Sequence, residues 1–228
     1  MAERGGDLIG ARRLFGEARN LAPPGFESAW LIHNHLGNVL NALGDRKAAL
    51  THYHRCRDQL DGKTPPRKAA VVLGNIGVVY ALDGDLEQAL AWFELAAMQY
   101  ERTTPVAGTA TNLGNIGKLY CLLDDPDRGI PMLATAIRMM GEMGYLDGQM
   151  QEYTKLGECM EHLGNTEGAI EAYRQALTLA HPLELRRGEM LARAALARLL
   201  DDPVEAAEHE RIRAHLSEEL GQKVSAPT

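Results

Sequence analysis

The apolar positions of this chain fall into stripes with the period of an α-helix, and the stripes come in pairs. Leu36, Leu40 and Leu43 make one stripe, Gly44-Asp45 interrupts it, and Ala49, Tyr53, Cys56 and Leu60 make the next. Such a pair reads as helix–turn–helix. The figure then returns along the chain: Gly37, Gly77, Gly117 and Gly157 stand 40 residues apart. Twelve residues after each comes a small residue (Ala49, Ala89, Gly129, Ala169), and four further on comes Tyr53, Phe93, Leu133 or Tyr173. Cys56, Ala96, Ala136 and Ala176 complete the register. A glycine inside a helix costs about 1 kcal/mol against alanine. Its regular recurrence points to backbones that cross too closely for a side chain, with the small residue twelve positions on as the expected partner.

A period of 40 residues fits HEAT and armadillo units as well, which run to about 40–47 residues. The internal spacing decides between them. Leu73-x2-Ile76-Gly77-x2-Tyr80, followed by Ala89-x3-Phe93, resembles the tetratricopeptide repeat pattern W-x2-L-G-x2-Y…A-x3-F, with Leu73 in the Trp slot. The resemblance covers nearly the whole chain. The extra residues of each unit fall after its second helix, in 61–69, 101–109, 141–149 and 181–189, and the pattern's terminal Pro is displaced to Pro65-Pro66 and Pro105. This is similar to the long repeats of kinesin light chains and bacterial regulators. The resemblance implies an all-α fold, a right-handed α-solenoid of helix-turn-helix repeats whose first helices line the concave side.

On this reading residues 1–221 form a single solenoid, with a half repeat over 6–20 and repeats over about 26–60, 67–102, 107–143, 147–181 and 184–220. In the half repeat, Gly6-Asp7 stands for Gly44-Asp45, and Ala11, Phe15 and Ala18 take the slots of Ala49, Tyr53 and Cys56. Either the chain is cut from a longer one or this half repeat is a cap; in the first case Leu8, Leu14 and Phe15 lack their natural cover. Asp85 with Gln88 three residues on predicts a helix start. Asp124-Asp125-Pro126-Asp127 predicts another, but Gly129 and Pro131 follow, so that helix is expected to start late or kink. Asp202 and Pro203 open a final helix with a narrow stripe (Ile212, Leu216, Leu220), expected to end at Gly221 before a disordered tail over 222–228.

The net charge of −7 gives no general attraction to nucleic acid or to anionic membranes. The longest apolar stretch, Ala69 to Leu82, is too short to span a bilayer, and the N-terminus has no signal-peptide apolar core. Three cysteines with no C-x-x-C point to a reducing compartment without a disulfide framework. A cytoplasmic location follows.

Catalytic and metal signatures are weak. His209-Glu210 is followed by His215, six residues after the first His where the zinc helix needs four. Cys159 and His162 share a helix face without a second ligand pair, and His33/His35 and His52/His54 point to different faces. Gly74-Asn75-Ile76-Gly77 lies within a helix and lacks the lysine of a phosphate loop. No enzyme, cofactor or metal is expected.

The informative pattern lies on the first helices. Residues six and three before the phased glycine, and one and four after it, share a face. They are Leu31, Asn34, Asn38 and Asn41; then Val71, Gly74, Val78 and Ala81; then Thr111, Gly114, Lys118 and Cys121; then Gln151, Thr154, Glu158 and Glu161. Asparagine is unfavourable inside helices yet recurs here, and its amide can pair with a peptide backbone as donor and acceptor. In tetratricopeptide relatives the Asn two residues before the glycine slot often holds a ligand's main chain. Asn75 and Asn115 occupy that slot, while His35 and Lys155 depart from it. The expected peptide site is therefore Asn34, His35, Asn38, Asn75, Val78, Asn115, Lys118, Gln151 and Lys155. The lysines would supply charge selectivity, and Gly74 and Gly114 room for the ligand. The competing reading is that these asparagines bond to neighbouring helices. The resemblance implies a protein- or peptide-binding scaffold, the sensor or docking part of a larger cytoplasmic regulator. The alternative is a self-association module, a homodimer through terminal repeat faces with no peptide ligand.

Overall fold

A computed structural model describes residues 8–21, 29–61, 64–104, 106–180 and 186–225. Among them the secondary structure is entirely helical: α1 (Leu8–Leu21), α2 (Ala29–Ala42), α3 (Arg46–Arg57), α4 (Pro66–Leu82), α5 (Leu86–Tyr100), α6 (Ala107–Leu122), α7 (Pro126–Glu142), α8 (Leu146–His162), α9 (Thr166–Ala180), α10 (Arg186–Leu199) and α11 (Pro203–Ser225). The chain divides into two compact units, Met1–Thr104 and Pro105–Thr228. In the first, α2 pairs with α3 and α4 with α5; in the second, α6 pairs with α7, α8 with α9 and α10 with α11.

The turns inside the hairpins are built alike. Gly44, Gly84 and Gly164 take positive φ, which a residue without Cβ adopts freely, and the next residue caps the second helix. Asp45 accepts from the Ala48 N–H, Asp85 from Gln88, Asp125 from Arg128 and Asn165 from Gly168. In the α6–α7 turn the glycine's place is taken by Asp124, at φ 60 the sole non-glycine residue with positive φ among the described residues.

The expected late start of α7 and the expected end of α11 at Gly221 are corrected. α7 starts at Pro126, with Pro131 inside it. The proline lacks only the N–H that would reach back to Asp127, an exposed residue of the first turn where water can serve the carbonyl. α11 continues through Gly221 to Ser225. Gly6-Asp7, Pro105, the tip of the tail (226–228) and the Leu220 side chain lie outside the described residues.

The first unit's core joins Leu40, Ala49, Tyr53 and Cys56 to Val72, Ile76 and Val79 of the next hairpin. In the second, Met150, Ala169, Tyr173 and Ala176 meet Ala192, Ala195 and Leu196. On α1, Ala11 is fully buried and Phe15 stacks on His35 with ring centroids 5.0 Å apart, while Ile9, Leu14 and Leu21 stay exposed.

The phased glycines have a different cause from the one expected. A Cβ at Gly37 would stand 2.4 Å from the Tyr53 ring, at Gly77 3.0 Å from Phe93, and at Gly157 2.8 Å from Tyr173. The partner is thus the aromatic ring sixteen residues on, which packs against the glycine where a Cβ would stand. Only where Leu133 replaces the ring does the small residue matter: a Cβ at Gly117 would meet the Gly129 carbonyl at 2.8 Å, and one at Gly129 the Gly117 carbonyl at 2.5 Å.

Candidate functional site

In the first unit the asparagines bond to one another. Asn75 Nδ2 donates to Asn34 Oδ1 at 2.9 Å and to Asn38 Oδ1 at 3.3 Å, so both of its N–H groups are committed. Asn38 Oδ1 also accepts from the Tyr53 hydroxyl at 2.8 Å, and Asn34 is buried. This amide cluster ties α2 to α4 and both to the ring that packs on Gly37. His35 is occupied by Phe15. Val78 is half-buried one turn beyond Asn75, and Leu82 is half-exposed beyond that.

Between α2 and α3, His33 and His52 approach with their Nδ1 atoms 2.8 Å apart, so one ring donates and the other accepts. Burial, reinforced by His33 and then by Arg55 and Arg19, pushes His52 down to about 4. Burial also lowers His33.

In the second unit the face of α6 and α8 is a series of rungs. Lys155 Nζ donates to Glu152 Oε1 at 2.8 Å, and Lys118 pairs with Glu158. The Glu152 side chain is 1% exposed, and its Oε2 has no hydrogen-bond partner. That oxygen occupies the space a side chain at residue 114 would need: a Cβ on Gly114 would lie 1.8 Å from it. Gly114 therefore makes room for Glu152, where the sequence pointed to a ligand. Burial raises the Glu152 carboxyl and lowers the Lys155 amine, each opposed by the charge of the other. Both lysines are paired within the protein, so the face carries balanced charge. Gln151 donates to Asp147 at 3.2 Å. Asn115 is different: half-buried, with no hydrogen bond from its side chain to any described residue.

Next to these rungs, Cys121 and Cys159 form a disulfide. This corrects the expectation of cysteines without a bridge, and it removes Cys159 from any metal site. His162 instead reaches Asp124, Nε2 to Oδ1 at 3.1 Å. The cysteines are 38 residues apart, two short of the repeat period, which places them at neighbouring positions on successive first helices. That near-coincidence was the available signal. Among the described residues there is no group of three His, Cys, Asp or Glu side chains able to hold a metal, and no helix is long and apolar enough to cross a membrane.

Helix hairpins repeating every 40 residues, three of them closed by a ring on a glycine and one by a close approach of Gly117 and Gly129, define a helical-repeat protein. Tetratricopeptide repeat models match residues 27–102, 68–142 and 153–182, more than half of the chain. The chain belongs to the tetratricopeptide repeat family. Among solved structures it is similar to BtubC (BKLC) from P. vanneervenii, with a TM-score of 0.66 and 17% identity over 99% of this chain and 94% of that one. It is also similar to the apo form of RapI, with a TM-score of 0.74 and 12% identity over 96% and 80% of the two chains. A Rap protein complexed with Competence and Sporulation Factor gives a TM-score of 0.69 and 14% identity, over 95% of this chain and 61% of that one. At these identities the likeness is one of fold. No curated protein matches the sequence.

Proposed function

We propose that the chain is a protein- or peptide-binding scaffold without enzymatic activity, holding an extended segment of its partner against the first helices. The observation that carries this reading is Asn115, a half-buried amide with neither donor nor acceptor engaged by described residues, one turn from Lys118. Such a group can give an N–H and a C=O to one peptide unit whatever the ligand's side chains. The similarity to a Rap protein complexed with Competence and Sporulation Factor supports a binding role. A sensor or docking role within a larger cytoplasmic regulator fits the same picture. Of the asparagines expected to bind, Asn75 offers a ligand only its carbonyl, while Asn34 and Asn38 are bonded within the protein.

The test starts from peptides captured from a library by the intact chain. Asn115→Ala should weaken a captured peptide about tenfold, the loss of a hydrogen-bonded pair of about 1.5 kcal/mol, with the melting temperature unchanged. Asn75→Ala should lower the melting temperature itself. A captured peptide indifferent to Asn115→Ala places the site elsewhere. A chain that captures nothing but associates with itself in concentration-dependent light scattering supports the self-association reading, which the exposed Ile9, Leu14 and Leu21 of α1 favour.

A further inference from the structure

We infer that Cys121 and Cys159 form a redox-operated lock on the α6–α8 face, closed as the disulfide and released as two thiols. The bridge joins the first helices of consecutive hairpins. It stands beside the Lys118–Glu158 pair, one turn along α6 and one residue along α8. It thus clamps the helix pair that carries Asn115 and Lys118. The inference concerns the clamp itself and holds whatever the ligand.

Burial, the adjoining turn and the third cysteine together favour a switch. Both sulfurs are fully buried with Leu133, under Ile130, Leu156 and Leu163, so a reductant reaches them only when this corner opens. The corner is placed to open. Cys121 is the penultimate residue of α6 and Cys159 lies in the last turn of α8, where helices fray first. The turn that follows Cys121 holds Asp124 at φ 60, in the conformation its counterparts reach as glycines, so local strain sits directly beside the bridge. The corner's outer contact is the Asp124–His162 pair, whose aspartate side chain is 86% exposed and whose hold is correspondingly weak. The third cysteine does not interfere. Cys56 is buried in the other unit, its Sγ donates to the Trp30 carbonyl, and burial pushes its thiol up to about 12. With too little thiolate to attack, it leaves a single disulfide as the product of oxidation. In a compartment kept reducing by small thiols, a bridge of this kind is transient and reports the redox state.

The exchange balances with a small dithiol or two monothiols. One thiolate attacks Sγ of Cys121 or Cys159, the S–S bond breaks, and a mixed disulfide forms while the released cysteine takes up a proton. A second thiol, from the same reductant or another molecule, displaces the mixed disulfide and frees the other cysteine. The reductant leaves as its own disulfide, two electrons having passed to the protein. Oxidation is the reverse, with a small disulfide such as oxidised glutathione as acceptor.

The full chain is equilibrated under native conditions with dithiothreitol or with oxidised glutathione, quenched in acid, alkylated after denaturation and read by mass spectrometry. In parallel, amide exchange is followed over 107–125 and 146–162. The oxidised chain should alkylate at Cys56 alone and the reduced chain at all three cysteines. Reduction should speed exchange in those two segments about tenfold or more and leave 66–100 unchanged. The Cys121→Ser/Cys159→Ser variant should exchange like the reduced chain and ignore dithiothreitol; should it not fold, the wild-type comparison stands alone. Three outcomes overturn the inference: a bridge that resists millimolar dithiothreitol in the folded chain, cysteines that oxidised glutathione does not join, or reduction that leaves exchange unaltered.

Discussion

Gly37→Ala is the sharpest test of how the hairpins close. The added methyl would stand 2.4 Å from Tyr53 Cε1 and 2.8 Å from Cδ1 and Cζ, about 1 Å inside ordinary contact, so the ring must retreat. It has nowhere to go, being 2% exposed and bonded through its hydroxyl to Asn38. Overpacking of this kind costs about 1–3 kcal/mol, and breaking the Tyr53–Asn38 hydrogen bond adds about 1 kcal/mol. Against this, alanine gains about 1 kcal/mol of helix propensity over glycine. The net is a loss of about 2 kcal/mol, or about 4–8 °C in melting temperature for a chain of this size. Gly16→Ala is the internal control, because nothing lies within 4 Å of its Cβ position, and it should stabilise by up to about 1 kcal/mol. Thermal unfolding followed by circular dichroism reads both. In a Tyr53→Leu background the Gly37→Ala penalty should vanish and the propensity gain emerge. A melting temperature that rises on Gly37→Ala in the wild-type background would refute ring-on-glycine closure.

Two further predictions use the turns and the histidines. Asp124→Gly should raise stability by about 0.5–1 kcal/mol by relieving the left-handed residue, the exposed pair with His162 contributing little; a lower melting temperature would show that the pair outweighs the strain. His52, buried and faced by His33 from α2, Arg55 from its own helix α3 and Arg19 from α1, is held neutral well below its ordinary 6.5, at about 4. As pH falls the unfolded chain takes up this proton first, so the stabilisation is whole above pH 6.5 and is lost progressively toward pH 4; denaturant melts of His52→Gln should show a shallower acid loss than wild type, and equal slopes would put the proton elsewhere.

The fold was legible because it is written in spacing. Periodic apolar stripes, Gly-Asp turn signals and phased glycines survive without any knowledge of neighbours, and they place the helix pairs closely. The glycine partner was misjudged because spacing shows which residues recur and not which touch. The small residue at twelve and the ring at sixteen are equally periodic, and only the crossing geometry chooses the ring. The disulfide was hidden for a similar reason: cysteines are judged by local motifs, whereas Cys121 and Cys159 become neighbours through the repeat itself. The Asp124 turn was half legible, since the period aligns it with Gly44, Gly84 and Gly164 while the residue type gives no hint of positive φ.

The candidate site shows what periodicity cannot carry. One slot, two residues before the phased glycine, is filled in turn by His35, Asn75, Asn115 and Lys155, and each meets a different chemistry. His35 is stacked on Phe15, Asn75 spends its donors on Asn34 and Asn38, Asn115 is open, and Lys155 is bonded to a carboxylate sealed against Gly114. What distinguishes them is the residue across from each slot, which the repeat leaves free to vary. Asn34 and Asn38 turn an amide that could bind into one that braces. Glu152 turns a surface lysine into a half of a buried pair whose loss on one side alone would cost about 3–5 kcal/mol. A peptide backbone meeting Asn115 finds a donor and an acceptor together; one meeting Asn75 finds an acceptor alone, and one meeting Lys155 finds an amine already held. Equal spacing therefore does not make an equal ladder: the neighbours of each slot decide which side chains keep an unused donor or acceptor.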